Sequence, residues 1–207
     1  MRDFRYHLHS TSLGEIRRPL FREFGLAVAA QKFLRASLEQ NIIMNTQEQW
    51  KADLASDEVA TRIAVAEQLA KMGSDASFAA VELVDSCRDS DESVRNGSVA
   101  ALESLGAPST ETRGPLCEQA KDSNPLVAYW AITLLGRMGT EASSCQQVLA
   151  NVLTQAAEIS VQQRAVWAIG KIGVLGPTTI ESLKLAAGSN DPKLSRSAQQ
   201  ILQQTEV

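Results

Sequence analysis

From residue 58 onward, apolar positions recur at helical spacing in blocks of nearly constant length. EVATRIAVAEQLAKMG (58–73), DESVRNGSVAALESLG (91–106), NPLVAYWAITLLGRMG (124–139) and EISVQQRAVWAIGKIG (158–173) align without gaps, and DPKLSRSAQQIL (191–202) is a truncated fifth copy. The spacings are 33, 33, 34 and 33 residues, a period that signals stacked structural repeats. Val94, Ser98, Leu102 and Leu105 correspond to Val127, Ala131, Leu135 and Met138, and to Val161, Ala165, Ile169 and Ile172. Apolar residues at three- and four-residue steps predict one buried stripe on each helix. The copies open on Glu58, Asp91, Asn124, Glu158 and Asp191, whose side-chain oxygens are expected to cap the first free amides. Pro125 and Pro192 follow their caps, where a missing N–H costs nothing. Gly73, Gly106, Gly139 and Gly173 close four copies and predict left-handed helix stops.

Between these B helices lie shorter amphipathic segments, expected as A helices at Thr46 to Leu54, Ala76 to Arg88, Thr110 to Lys121, Ser143 to Ala157 and Pro177 to Ala187. One hairpin of this size cannot bury its own apolar face, so the units must stack into a continuous core. The expected fold is an all-α solenoid of about five hairpins, near 46–73, 74–106, 107–139, 140–173 and 174–204.

Asp91-Glu92-Ser93-Val94-Arg95, followed by Ala100-Ala101-Leu102 and Leu105-Gly106, resembles the HEAT repeat family. It is especially similar to the short bacterial HEAT-like units first grouped with phycobilisome lyases. The resemblance covers about 46–204 and implies an armadillo-like, right-handed superhelix whose B helices line a concave binding face. The family's arginine stands at Arg62 and Arg95 but is replaced by Ala128, Gln162 and Ser195. A ladder of buried Asp–Arg pairs should therefore be incomplete in the C-terminal half. Tetratricopeptide repeats share the period, but their Trp…Leu-Gly…Tyr and Ala…Phe…Pro positions are not met.

Composition narrows the function. The chain carries 20 Lys/Arg and 24 Asp/Glu over 207 residues, a net charge of −4 that argues against nucleic acid as partner. Charge is uneven: residues 1–43 hold seven basic and four acidic groups, while the remainder holds thirteen and twenty. The segment 1–45 stands outside the repeat. It reads as helices capping the first repeat, as a disordered or non-native extension upstream of a natural start at Met44, or as a basic arm (Arg17, Arg18, Arg22, Lys32, Arg35) for an acidic partner or anionic lipid. No apolar run reaches the roughly 20 residues of a membrane span, and no signal peptide is evident, so a cytoplasmic protein is expected. Cys87, Cys117 and Cys145 lack metal-ligand spacing and are expected as buried thiols in a reducing compartment. Asn96-Gly97-Ser98 matches a glycosylation sequon but falls within a predicted helix.

No catalytic constellation is legible. Gly170-Lys171-Ile172-Gly173 is phased with the repeat as a helix end rather than as a phosphate loop, and His7 and His9 have no third ligand. No cofactor or metal is expected, and the chain is expected not to be an enzyme. The alternative left by the resemblance is a bilin-lyase-like enzyme or lyase subunit. The main expectation is a scaffold, adaptor or regulatory subunit that binds a protein through its B-helix face. On that face the positions between core residues are Ile63, Glu67 and Lys71; Asn96, Ala100 and Ser104; Tyr129, Thr133 and Arg137; and Gln163, Trp167 and Lys171. The last two sets are the candidate partner-binding residues, with Tyr129 and Trp167 as aromatic anchors. Packing between repeats is the competing role for Trp167, whose place is taken by Glu67, Ala100 and Thr133 in earlier copies.

Overall fold

A computed structural model of the chain describes residues 46–205; the expectations for the N-terminal segment and for His7 and His9 lie outside the described residues. The repeats lie within one compact unit, 47–207. Its helices are α1 (residues 46–54), α2 (Val59–Met72), α3 (Ala80–Asp85), α4 (Glu92–Ser104), α5 (Arg113–Gln119), α6 (Pro125–Met138), α7 (Gln146–Gln155), α8 (Ile159–Ile172), α9 (Pro177–Ala187) and α10 (Pro192–Thr205). Odd-numbered helices are the A elements and even-numbered helices the B elements. The described residues form an all-helical repeat solenoid, as the periodicity predicts. Three of the A elements begin in 3-10 geometry, at Gly73–Ala79, Thr110–Thr112 and Gly139–Cys145.

The repeated apolar positions form one continuous core. Leu69, Leu83, Leu102, Leu116, Leu135, Leu149, Ile169 and Leu183 are fully buried along its length, each worth about 2 kcal/mol of transfer free energy. Trp50 packs against this core from α1. The last B helix, α10, buries Leu194 and Ala198 and turns Lys193, Gln199, Gln200 and Gln203 outward.

Helix starts divide by side-chain length. Asp91 accepts from the amides of Ser93 (2.8 Å) and Val94, Asn124 from those of Leu126 and Val127, and Asp191 from that of Leu194. Glu58 and Glu158, one methylene longer, make no capping bond. The expectation that all five openings cap is corrected to three. The helix ends diverge too. Of the four glycines expected as left-handed stops only Gly173 takes that conformation; Gly73 and Gly139 have positive φ but ψ of −127° and −133°, and Gly106 has no positive φ, α4 closing on Leu105 in extended geometry instead.

The position of the family arginine keeps its task even where the residue changes. Arg62 donates to the carbonyl of Ser56, Arg95 to that of Asp89, Gln162 to that of Ala156 and Ser195 to that of Ala187. Each ties a B helix to the turn or helix end preceding it, and only Ala128 has lost the donor. Arg62 also forks onto the Asp89 carboxylate at 2.7 and 3.0 Å, linking the first two repeats. Arg88 meets Asp122, which stands where Asp89 stands one repeat earlier, at 2.9 Å across the second and third repeats; among the described residues no arginine–aspartate pair joins the repeats after these, so the ladder is incomplete in the C-terminal half.

Arg62 holds the Asp89 carboxyl below its ordinary value of 3.8 by hydrogen bonding, and the Asp91 amide assists, against the opposing effect of burial. The folded chain thus binds that proton less tightly than the unfolded chain. The resulting stabilisation is present above 3.8 and is lost as pH falls through the lower folded value. Asp89→Asn should flatten the acid limb: its urea midpoint should fall less than that of the parent between about pH 5 and pH 2. Parallel slopes for the two proteins would remove this account.

The B helices do not stack uniformly. α2 packs along α4, α6 along α8, and α8 along α10, while α4 and α6 scarcely meet backbone to backbone. That boundary is spanned on the other side by α3, which packs on both α5 and α6.

Candidate functional site on the B-helix face

The candidate residues change character along the stack. Glu67 and Lys71 on α2, and Asn96, Ala100 and Ser104 on α4, are exposed. On α6, Tyr129 and Arg137 are half-buried and Thr133 is buried, its hydroxyl donating to the Tyr129 carbonyl at 2.7 Å. The expected exposure of Thr133 is therefore corrected. α6 is apolar on nearly every side and buried along most of its length. On α8, Lys171 is exposed and Gln163 is half-buried, donating to the Asp191 carboxylate at 2.9 Å. That bond joins α8 to the cap of α10.

Trp167 lies across α6. Its ring covers Gly136 so closely that a Cβ built on the glycine would sit 2.3 Å from Cζ3. An interior helical glycine here is a packing device: the missing side chain makes room for the indole. The opposite side of the arrangement is held by Arg164. Its guanidinium lies 4.3 Å from the Tyr129 ring centroid and 5.1 Å from that of Trp167, and it also donates to the Tyr129 hydroxyl. A guanidinium over two aromatic faces is attracted by both ring quadrupoles. Trp130 is buried edge-on to Tyr129, with centroids 5.6 Å apart.

Arg137 performs a different task. Its Nη1 donates to the carbonyls of Leu102 (2.6 Å) and Leu105, and its Nη2 to that of Glu103 (3.3 Å). These are orphan carbonyls at the end of α4, which lacks a glycine stop. Its guanidinium also stands 6.0 Å from the Trp130 ring centroid. Burial lowers the proton affinity of both Arg137 and Arg164. Among the described residues neither forms an ion pair, and Lys171 forms none either.

The ends of α4, α6 and α8 enclose an open groove of about 490 Å³, lined by Glu103, Leu105, Gly136, Arg137, Trp167 and Lys171. Three of the six candidate residues thus share one concavity, and Tyr129 joins them through Arg164. A larger cavity of about 680 Å³ surrounds the Arg62–Asp89 pair, and its arginines are already matched by carboxylates. The sequence pattern singles out neither Arg164 nor Gly136. An interior glycine on an otherwise apolar helix was the available signal for the second; nothing in the repeat phase marked the first. No group of three or more His, Cys, Asp or Glu side chains among the described residues is arranged to hold a metal ion.

The architecture defines a helical-repeat solenoid, the class to which scaffolds and other protein-interaction modules commonly belong. Residues 113–203 match the family model described as HEAT repeats, so the stretch from α5 to α10 is similar to that family. No curated protein matches the chain. An engineered protein of known structure is 18% identical, with a TM-score of 0.50, covering 74% of this chain and 76% of its own. A designed armadillo repeat protein, solved in complex with the peptide (KR)4, is 16% identical with a TM-score of 0.53, covering 80% and 84%. These likenesses are of fold. No helix among the described residues is long and apolar enough to cross a membrane.

Proposed function

We propose that the chain is a non-catalytic binding module that takes an acidic segment of a partner protein on the B-helix face between α4 and α8. The observation that carries this reading is the set of cations at that face. Arg164 is fixed between two aromatic rings, Arg137 is anchored on backbone carbonyls, and Lys171 stands exposed at the groove, all without an ion pair. Desolvated guanidinium groups held rigid before binding favour a carboxylate-bearing guest at small ordering cost. Tyr129 and Trp167 supply amphipathic surface beside them, and the guest gains specificity from charge; Gln163 and Thr133, both engaged in hydrogen bonds of their own, hold the helices that carry these residues. The designed armadillo protein of similar fold is recorded with a basic peptide; the cations here call for the opposite sign.

Lys171→Glu tests the reading without disturbing packing, because the side chain is exposed. With a fluorescein-labelled glutamate-rich peptide at low salt, the variant should bind roughly tenfold more weakly, and Lys184→Glu on α9 should bind as the parent does. Equal loss in both variants would mean non-specific attraction, and no loss in either would remove this face as the site.

A further inference from the structure

The repeat that has lost its arginine keeps the rest of the arginine's seat. Ser56, Asp57, Arg62 and Asp89 line the cavity beside the start of α2. Two repeats later in the chain, Asp122, Ser123, Ala128 and Gln155 hold the same places and line a cavity of about 470 Å³. In the first cavity Arg62 Nη1 donates to the Ser56 and Asp57 carbonyls at 2.7 and 3.3 Å, and the guanidinium also forks onto Asp89. In the second repeat Arg95 Nη1 donates to the equivalent carbonyls of Asp89 and Ser90 at 2.7 and 2.9 Å. In the third, the buried Ala128 ends at its methyl. No donor among the described residues reaches the Asp122 or Ser123 carbonyl.

We infer that this cavity, between the third and fourth repeats, binds an arginine side chain presented by a partner protein. The incoming guanidinium takes the place of the missing one. It donates to the Asp122 and Ser123 carbonyls and faces the amide oxygen of Gln155, which stands where Asp89 stands in the first cavity. Its charge is met by Glu158, exposed at the rim, whose carboxylate makes no capping bond and, among the described residues, no ion pair. The other charged side chains of the cavity are already engaged, Asp122 with Arg88 and Lys121 with Glu118. Val148, Val152 and Val161 give the aliphatic stem an apolar wall. A planar fork reaches two carbonyls and an amide oxygen together, which the compact ammonium of lysine does not.

The seat is specific to one place in the array. In the fourth repeat Gln162 donates to the Ala156 carbonyl at 2.6 Å, and in the fifth Ser195 donates to that of Ala187. Among the described repeats only the third therefore leaves the position to a guest. The cavity lies at the start of α6 and α8, the opposite end of those helices from the groove of Arg137, Trp167 and Lys171, and shares no residue with it. An arginine bound here stands or falls independently of an acidic guest bound there.

The probe is N-acetyl-argininamide, whose blocked ends resemble an arginine within a chain, titrated into the isotope-labelled full chain and followed by amide NMR. Saturable shifts should centre on Ser123, Asn124, Gln155 and Glu158. The neutral citrulline analogue and the lysine analogue should each bind about tenfold more weakly. Glu158→Gln, at an exposed position, should weaken binding about threefold at low salt. Ala128→Arg should raise the urea midpoint and abolish the shifts, because the seat is then filled from within. The inference is overturned if no saturable shift appears at the cavity, if either analogue binds as well as the probe, or if Glu158→Gln changes nothing. It is overturned equally if Ala128→Arg still binds the probe, or if that variant unfolds or has a lowered midpoint, since the cavity then has no room for a guanidinium. Tighter binding of free arginine than of the blocked amide would make the guest a small molecule and would also overturn it.

Discussion

Gly136→Ala is expected to destabilise the chain by about 3 kcal/mol, although alanine is normally the better helix former. The added methyl would have to occupy space 2.3 Å from Cζ3, 2.9 Å from Cε3 and 3.0 Å from Cη2 of Trp167. The indole cannot simply swing aside, because Arg164 holds it against Tyr129. The decisive measurement is a double-mutant cycle with Trp167→Ala, read from urea unfolding. With the indole removed, Gly136→Ala should become neutral or slightly stabilising, since helix propensity then acts alone. Additive penalties would mean that Trp167 is not seated on the glycine. The same cycle decides whether the tryptophan is committed to packing or is free to meet a partner: a large coupling assigns one ring face to the scaffold.

The second large effect is expected at Arg137. Arg137→Met retains a long apolar stem over Trp130 while removing the donors to Leu102, Glu103 and Leu105. Loss of charged hydrogen bonds to partly covered carbonyls should cost about 2 kcal/mol. Arg137→Lys should recover only part of this, because one ammonium cannot fork across three carbonyls. Hydrogen exchange locates the effect: the last turn of α4, including the Leu105 amide bonded to the Ala101 carbonyl, should exchange faster in both variants. Unchanged protection there would separate Arg137 from the capping of α4.

The repeats were legible because their information is periodic. Val94, Val127 and Val161, or Leu102, Leu135 and Ile169, occupy equivalent buried sites, and each copy reinforces the phase of the others. The near-total burial of α6 was also within reach, since a helix apolar on all sides must be covered. What the sequence concealed lies in side-chain reach and in contacts between different phases of the repeat. Asp91 and Glu158 open equivalent helices, yet one methylene separates a cap from an idle acid. Gly106 aligns with the three positive-φ glycines, but a residue in another repeat, Arg137, takes over the carbonyls that such a turn would help satisfy. The Arg164 stack escaped for a similar reason: two rings and a cation from α6 and α8 form one object, and only the rings, Tyr129 and Trp167, stand out along the chain.

The junction of α4 and α6 bears on how the array comes apart. In a stack where each unit touches only its neighbours, cooperativity is transmitted through each interface in turn. Here three B-to-B contacts are broad, while at the fourth Arg137 reaches α4 on one side and A-helix packing, the Arg88–Asp122 pair and the Gln119 bond to the Val81 carbonyl join the repeats on the other. Melting initiated at either end would therefore stall at this boundary. The chain should behave as two coupled cooperative blocks, α1–α4 and α5–α10, and a pulling force should part them there before either block unravels.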